Sequence, residues 1–191
     1  MKKDIGITGL AFPNPVLVVG TYDSNGNPNV VTLAWGGVAA SDPPAIAISV
    51  RPSRHSYEAL MRTRAFTVNL PSVRYVAETD FFGLVSGSRV NKCAVTGLTP
   101  VRGNFVDAPY IAEFPIVMEC AVSHTLELGS HTLFVGEIKS IKADEELLDD
   151  EGKIIWEAAG ILTTDAVSKE YRAPGEVVGK SYQTGKKYVS R

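Results

Sequence analysis

"NPNVVTLAWGGVAASDPPAIAISVRPSRHSYEAL", residues 27–60, runs from two apolar, strand-like stretches straight into Arg51, Ser53, Arg54, His55 and Ser56. The β-branched run NVVTLAW follows PVLVVGTY and the turn cluster Asp23-Ser24-Asn25-Gly26-Asn27-Pro28, which is the pattern of a hairpin. Asp42-Pro43-Pro44 is the next break, because proline presets a turn and has no N–H to give a ladder. AIAISV then reads as a buried strand, and SRHSYEALMRT as the first helix. A stretch suited to burial thus ends in polar residues that include two permanent cations.

Outward from there, AFTVNL returns to strand and VRYVAETDFFGL reads as a second short helix, broken at Gly83. Residues 86–115 carry Gly87, Gly97, Pro100, Gly103, Pro109 and Pro115, and read as an irregular excursion over the surface. IVMECAVSHTLEL and HTLFVGEIKSIKA form an antiparallel pair about Gly129-Ser130, and the acidic turn DEELLDDEGK leads on to IIW. Residues 171–191 are a polar, Gly-rich tail expected to lie on another surface. Many short strands, turn signals between them and few helices predict a mainly β fold: a closed or nearly closed antiparallel barrel with a few short flanking helices. Strands and helices do not alternate, so a parallel α/β sheet is not expected.

A chain of 191 residues suits one domain, 1–191, with a substantial core. The net charge of −2 offers no basic excess to a nucleic acid. No apolar run approaches the roughly 18–20 residues of a membrane helix, and Asp4 and Pro13 interrupt any signal-peptide pattern. Cys93 and Cys120 are far apart and form no CxxC, which implies a reducing, cytoplasmic setting without a zinc site or disulfide framework.

Several tempting motifs fail. GEVVGKS, residues 175–181, has three residues where a phosphate loop needs four, and no apolar strand precedes it. There is no GxGxxG for a Rossmann site and no GxSxG elbow for a hydrolase. The acidic residues 144–151 lack calcium-loop spacing and read as a solvated hairpin tip.

The junction at 51–56 supports two readings. One is an ordinary helix start, capped by Ser53 or Ser56, with two solvent-facing arginines. The other is an anion trap, in which unpaired helix N–H groups, Arg51, Arg54 and the hydroxyls converge on a phosphate. The strands feeding it favour the second. Asn29, Thr32 and Ala34 are read as facing one way along NVVTLAW, a wall of small and polar groups that suits a flat ring such as a flavin. Trp35, beside Gly36-Gly37, either covers such a ring or closes the barrel end.

Over roughly residues 12–188, the chain resembles the flavin reductase-like FMN-binding split-barrel family, its flavoredoxin branch in particular. The resemblance is carried by NPVLVVGT, NVVTLAW, DPPAIAISVRPSRHSYE, FTVNLPS, SRVNKCAVTGL, GSHTLFVGEI and YRAPGEVVGKSYQTGKK, in that order and spacing. It implies an FMN-binding split β-barrel of Greek-key type and a homodimer with one FMN per subunit in a groove near the interface. It implies that Asn29, Val30, Thr32, Ala34 and Trp35 lie along the ring and ribityl chain, and that Ser49, Val50 and Arg51 continue that wall. Arg51, Ser53, Arg54, His55 and Ser56 would hold the phosphate, Asn69 and Leu70 would lie beside the ring, Ser86 and Arg89 would add to the cofactor site, and Lys92 would close over the phosphate or ribityl side. The alternative for Lys92 is a surface lysine. Cys93 is either a redox-active thiol or a small buried filler. His131 matches a GDH-like motif whose histidine faces the reactive side of the flavin, with Ser130 in place of the usual Asp; a structural role at a strand start is the other reading. His124, Trp156 and Tyr171 are weaker candidates.

The function implied is FMN-mediated electron transfer. NAD(P)H would be the reductant, with His131 on the catalytic side, and a partner protein or small molecule would be the acceptor. The rival is a flavoredoxin-type carrier with little NAD(P)H activity of its own. A split barrel using haem or a deazaflavin is more distant.

Overall fold

The computed structural model describes residues 1–4, 6, 13–165 and 167–189. The N-terminal stretch, the single-domain span 1–191 and the tail therefore lie partly outside the described residues. The expected hairpin is formed by β2 (Leu17–Tyr22) and β3 (Pro28–Leu33), with Leu17 opposite Leu33. Gly26, at φ 78°, occupies the turn in a conformation that favours glycine. NVVTLAW does not run as one strand. β3 stops at Leu33, and a separate strand β4 (Gly36–Ser41) starts after Ala34-Trp35 and pairs with β5 (Pro44–Val50). The weak apolar signal of GGVAAS concealed β4.

Helix α1 (His55–Thr63) leads into β6 (Ala65–Leu70), and α2 (Val76–Leu84) follows a 3₁₀ turn at Val73–Tyr75. Gly83 does not break α2, which continues to Leu84. Nor is 86–115 wholly irregular: it holds α3 (Lys92–Thr96) and a small hairpin of β7 (Pro100–Arg102) and β8 (Pro109–Ile111). The long strands β9 (Ile116–Leu128) and β10 (His131–Ala143) form the predicted pair.

The main sheet has seven antiparallel strands in the order β3-β2-β6-β9-β10-β5-β4. Its two terminal strands, β3 and β4, are joined by only Ala34 and Trp35, so the sheet has to curl until its ends meet. Ser49 N–H donates to Trp35 O at 2.8 Å across that junction. The architecture is the mainly β, nearly closed barrel that the strand pattern predicts.

Leu17, Val19, Val31, Ile48, Val50, Phe66 and Phe134 fill the interior. Gly136 admits Phe66, because a Cβ there would lie 2.5 Å from the ring. On the outer side of β2 and β3, Val18 and Val30 pack with Phe82, Cys93, Leu98, Ile111 and Phe114. Both faces of this hairpin are covered, which explains its near-continuous apolar sequence. Beyond β10, Leu148 and Ile154 form an isolated bridge, while Trp156 opens the short helix α4 (Trp156–Ala159). β1 (Asn14–Pro15), β11 (Thr163–Asp165) and β12 (Glu170–Arg172) make a small second sheet, and Tyr171 of β12 donates its hydroxyl proton to Asp80 of α2 at 3.0 Å. Among the described residues, no helix is long and apolar enough to cross a membrane.

Candidate functional site

α1 begins where β5 leaves the sheet. Its N-cap is Arg54 and no side chain caps it, so the expected caps are corrected: Ser53 lies outside the helix, and Ser56 lies within its first turn. Ser56 is buried because its hydroxyl accepts a proton from Asn29 Nδ2 at 2.8 Å, tying α1 to β3. No side chain caps the first N–H groups of α1.

In front of this helix start is a small cavity of about 50 Å³, lined by Asn29, Ser53, Arg54, His55, Ser56, Ser86, Gly87 and Lys92, with Val31, Gly83 and Val85 behind them. No carboxylate lines it. Lys92 is the first residue of α3, yet its side chain turns inward and is only 4% exposed. Its Nζ donates to Val30 O and Phe82 O, both at 2.7 Å, which leaves one of three ammonium protons free. Burial, and then the positive charge of Arg54, lower its pKa to about 8. Two cations held together without a carboxylate raise the energy of the pocket until an anion enters.

Asn29 adds a second sign of an absent partner. It is buried, and its Oδ1 has no hydrogen-bond partner. Oxygen and nitrogen of an amide are nearly isosteric, so a turn about χ2 exchanges them. Ser56 then donates to Oδ1, and Nδ2 is offered to an acceptor such as a phosphate oxygen. The pocket fits an oxyanion.

Arg54 also lines a larger cleft of about 470 Å³, together with Thr32, Leu33, Ala34, Trp35, Ser49, Arg51 and His131. That volume falls in the range of small-molecule sites. Trp35 and His131 stack on its rim, with ring centroids 5.2 Å apart and planes 5° from parallel. The Ser130 hydroxyl lies 2.9 Å from His131 Nδ1. Burial, followed by the charge of Arg51, lowers the pKa of His131 below its ordinary 6.5 and favours the neutral imidazole. The site is thus bipartite: a polar socket for an anion beside a wider cleft with an aromatic rim.

The candidates distribute unevenly over these two parts. Asn29 shares its side of β3 with Val31 and belongs to the small pocket; it is three residues from Thr32 and cannot alternate with it. Thr32 and Ala34 line the cleft, and Thr32 Oγ1 donates to Thr79 O. Arg51 lies in the cleft beside His131 and does not line the small pocket expected for it. Val30, Val50 and Leu70 are packed in the core and line neither cavity. Asn69 is buried as a tie: its Nδ2 donates to Val18 O at 2.9 Å, and its Oδ1 accepts from Ile111 N–H at 2.8 Å. Arg89 is exposed and lines neither cavity. Cys93 packs in the outer cluster, where burial raises its pKa, so its environment is that of a filler. His124 contacts Ser123 on an exposed part of β9, and Trp156 and Tyr171 line neither cavity. Gly87, which the sequence reading treated only as a loop residue, forms part of the pocket wall.

Residues 9–160 match the family model described as "Flavin reductase like domain". The flavoredoxin of Desulfovibrio vulgaris (Miyazaki F) superposes with a TM-score of 0.93 and 42% identity, over 97% of this chain and all of that one. A flavoredoxin from Methanosarcina acetivorans gives 0.91 and 30%, over 98% of this chain and all of its own. An uncharacterized protein of Aeropyrum pernix is 33% identical over 129 residues, which cover 66% of this chain and 49% of that protein.

Proposed function

Because the chain belongs to the flavin reductase-like family, we propose that its bipartite site holds one flavin, with the phosphate of FMN in the small pocket and the ring in the cleft. The observation that carries this reading is the pairing of buried Lys92 with Arg54 around a carboxylate-free pocket that opens beside a cleft of ligand size. Bound there, the flavin supplies the hydride and electron chemistry. Lys92, Arg54, Ser53 and the start of α1 hold and neutralise the phosphate. Thr32, Ala34 and Ser49 provide a flat, small-residue wall, and Trp35 shields one rim. Neutral His131 offers a ring N–H or lone pair at the mouth without adding charge.

In this reading the protein is an FMN-binding flavoprotein that passes electrons to a second acceptor, with NAD(P)H as its reductant. Likeness to two flavoredoxins favours a second reading, a carrier reduced by a partner protein. A homodimer is part of either proposal. The exposed edge strand β4, with Val38 84% exposed, and the exposed Leu126 and Leu128 are the surfaces a second copy would cover.

The test begins with the absorbance spectrum of the purified protein, before and after incubation with FMN. A bound flavin band is expected, and protein that stays colourless in excess FMN overturns the reading. Anaerobic mixing with NADH or NADPH then separates the two functions: rapid bleaching identifies a reductase, and none identifies a carrier.

A further inference from the structure

Two stretches of the chain take no part in the flavin site: the basic tail and the acidic residues 144–151. Each forms a charged surface without a partner. The tail is rooted on the body and then leaves it. Tyr171 is tied to Asp80 of α2, and every described residue from Arg172 to Val189 is exposed. The tail nevertheless has order of its own. Lys180 N–H donates to Thr184 Oγ1, the Thr184 hydroxyl donates to Lys180 O, both at 2.9 Å, and a 3₁₀ turn follows at Thr184–Tyr188. Its apolar side chains are as bare as its charges, with Val178 98% and Tyr182 95% exposed. Lys180, Lys186 and Lys187 stand against one acid in 173–189, Glu176, and among the described residues none of the three lysines has an ion-pair partner.

The acidic residues border a groove at the far end of β10 from His131. A cavity of about 320 Å³ there is lined by Glu113, Asp144 and Glu146 together with Tyr75, Leu147 and Ala158. Arg74 is the one cation among its lining residues, and its guanidinium lies over the Tyr75 ring. A second cavity of about 220 Å³ shares Pro115 and Asp144 with the first and adds Tyr110 and Phe114; its Lys142 is already paired with Glu119. Among the described residues, neither Asp144 nor Glu146 has an ion-pair partner. Burial, followed by the charge of Glu146, raises the pKa of Asp144 above its ordinary 3.8, as expected of carboxylates that lack a nearby cation.

Groove and tail complement one another. The groove offers carboxylates among aromatic and aliphatic side chains, and the tail offers lysines interleaved with valine and tyrosine. Bringing them together covers apolar surface and sets opposite charges face to face. One chain does not do this for itself, since no described tail residue lines its groove. In a two-fold pair the contact is made twice, once in each direction. Each side then contributes the 17 residues 173–189 and the groove lining, about the 20–30 residues a side of a stable interface.

We propose that the C-terminal segment 173–189 docks in the acidic groove beside Asp144 of a second copy, so that two chains exchange tails. The proposal is independent of the flavin reading, because neither surface lines either part of that site.

The test treats the full-length protein with a carbodiimide, which joins a lysine to a carboxylate in contact with it. The expected product is a covalent dimer on a denaturing gel, with peptides joining Lys180, Lys186 or Lys187 to Glu113, Asp144 or Glu146. The same junctions confined to the monomer band place the tail on its own chain and overturn the proposal. A dimer band without them, or no dimer band, overturns it as well. Charge reversal checks the pairing in solution. Lys186→Glu with Lys187→Glu is expected to weaken self-association at least about tenfold in sedimentation, and adding Asp144→Lys with Glu146→Lys to restore it to within about threefold. Undiminished association of K186E/K187E overturns the proposal, and the wild-type cross-link decides it should a variant not fold.

Discussion

Trp35 and His131 form a parallel stack across the point where the ends of the barrel sheet meet: Trp35 lies just beyond β3, and His131 opens β10. The contact gives the cleft a preassembled aromatic rim, and Ser130 and Arg51 adjust the imidazole from the side.

Trp35→Ala is expected to weaken riboflavin binding by about 0.5–1.5 kcal/mol, the usual worth of an aromatic pair, or about 2–12-fold. FMN should weaken by a similar factor, because the phosphate contacts are untouched. Fluorescence titration of both ligands checks this, and a loss confined to FMN would contradict the placement of the ring.

Arg51 and Arg54 should separate in function. Arg54→Gln is expected to weaken FMN by about 1.5–3 kcal/mol through lost charge-assisted contact, with a smaller effect on riboflavin, whose cleft Arg54 also lines. Arg51→Gln should spare the phosphate and raise the pKa of His131, because a repelling cation is removed. Histidine NMR titration of R51Q reads that rise directly.

Lys92 supplies a pH dependence. In the empty pocket its pKa is about 8, below the ordinary 10.5, whereas a bound dianion favours the ammonium form. Above about pH 8 the empty protein has released this proton and must regain it on binding, so FMN affinity should fall as pH rises, by up to tenfold per unit. Riboflavin should show no such step, and Lys92→Met should abolish it. The stability linkage has the opposite slope. Between about pH 8 and 10.5 the unfolded chain holds the proton and the folded one does not, so the cost of burying the charge is relieved and the ligand-free fold gains stability. Calorimetric melting of wild type and K92M over that interval tests the sign.

Glu119 is a separate buried charge, remote from the site. Its carboxylate is fully buried in β9, ion-paired with Lys142, and accepts from the N–H groups of Phe105 and Val106 at 2.7 and 3.2 Å. Despite burial, these partners hold its pKa below the ordinary 4.5. The stabilisation is present above that value and is lost as pH falls through the lower folded pKa. Glu119→Gln is expected to destabilise the fold by about 1–3 kcal/mol at neutral pH, since the hydrogen bonds from the Phe105 and Val106 N–H groups lose their buried anionic acceptor while the partly exposed Lys142 can turn to water. Urea unfolding at pH 7 and pH 4 should show the difference between wild type and variant shrinking in acid.

Much of the barrel was legible because its main strands carry strong β-branched runs between Gly, Pro and Asn turns, as in PVLVVGTY and AIAISV. β4 was not, since GGVAAS has small side chains and owes its strand state to pairing with β5. The polar junction at 51–56 was visible as charge and hydroxyl density, but its division was not. Whether Arg51 meets Ser56 or His131 depends on which way the chain turns between β5 and α1. Lys92 reads locally as a surface residue, and only the packing of α2 and α3 against β3 draws its ammonium onto two carbonyls. Gly87 carried no signal in the sequence, because it lies in the pocket wall against Asn29, 58 positions earlier in the chain.

The two-residue link Ala34-Trp35 is the seam of the barrel, and one side of the cleft is built on it. Whatever settles there lies across the join like a rivet, touching the end of β3, the end of β5 and the start of β10 at once. Occupancy of the site and the mechanical integrity of the whole sheet are thereby made one property: the empty barrel should open first at this seam, with the amide of Ser49 among the earliest in the sheet to exchange with solvent, and filling the cleft should slow that exchange more than any other in the sheet.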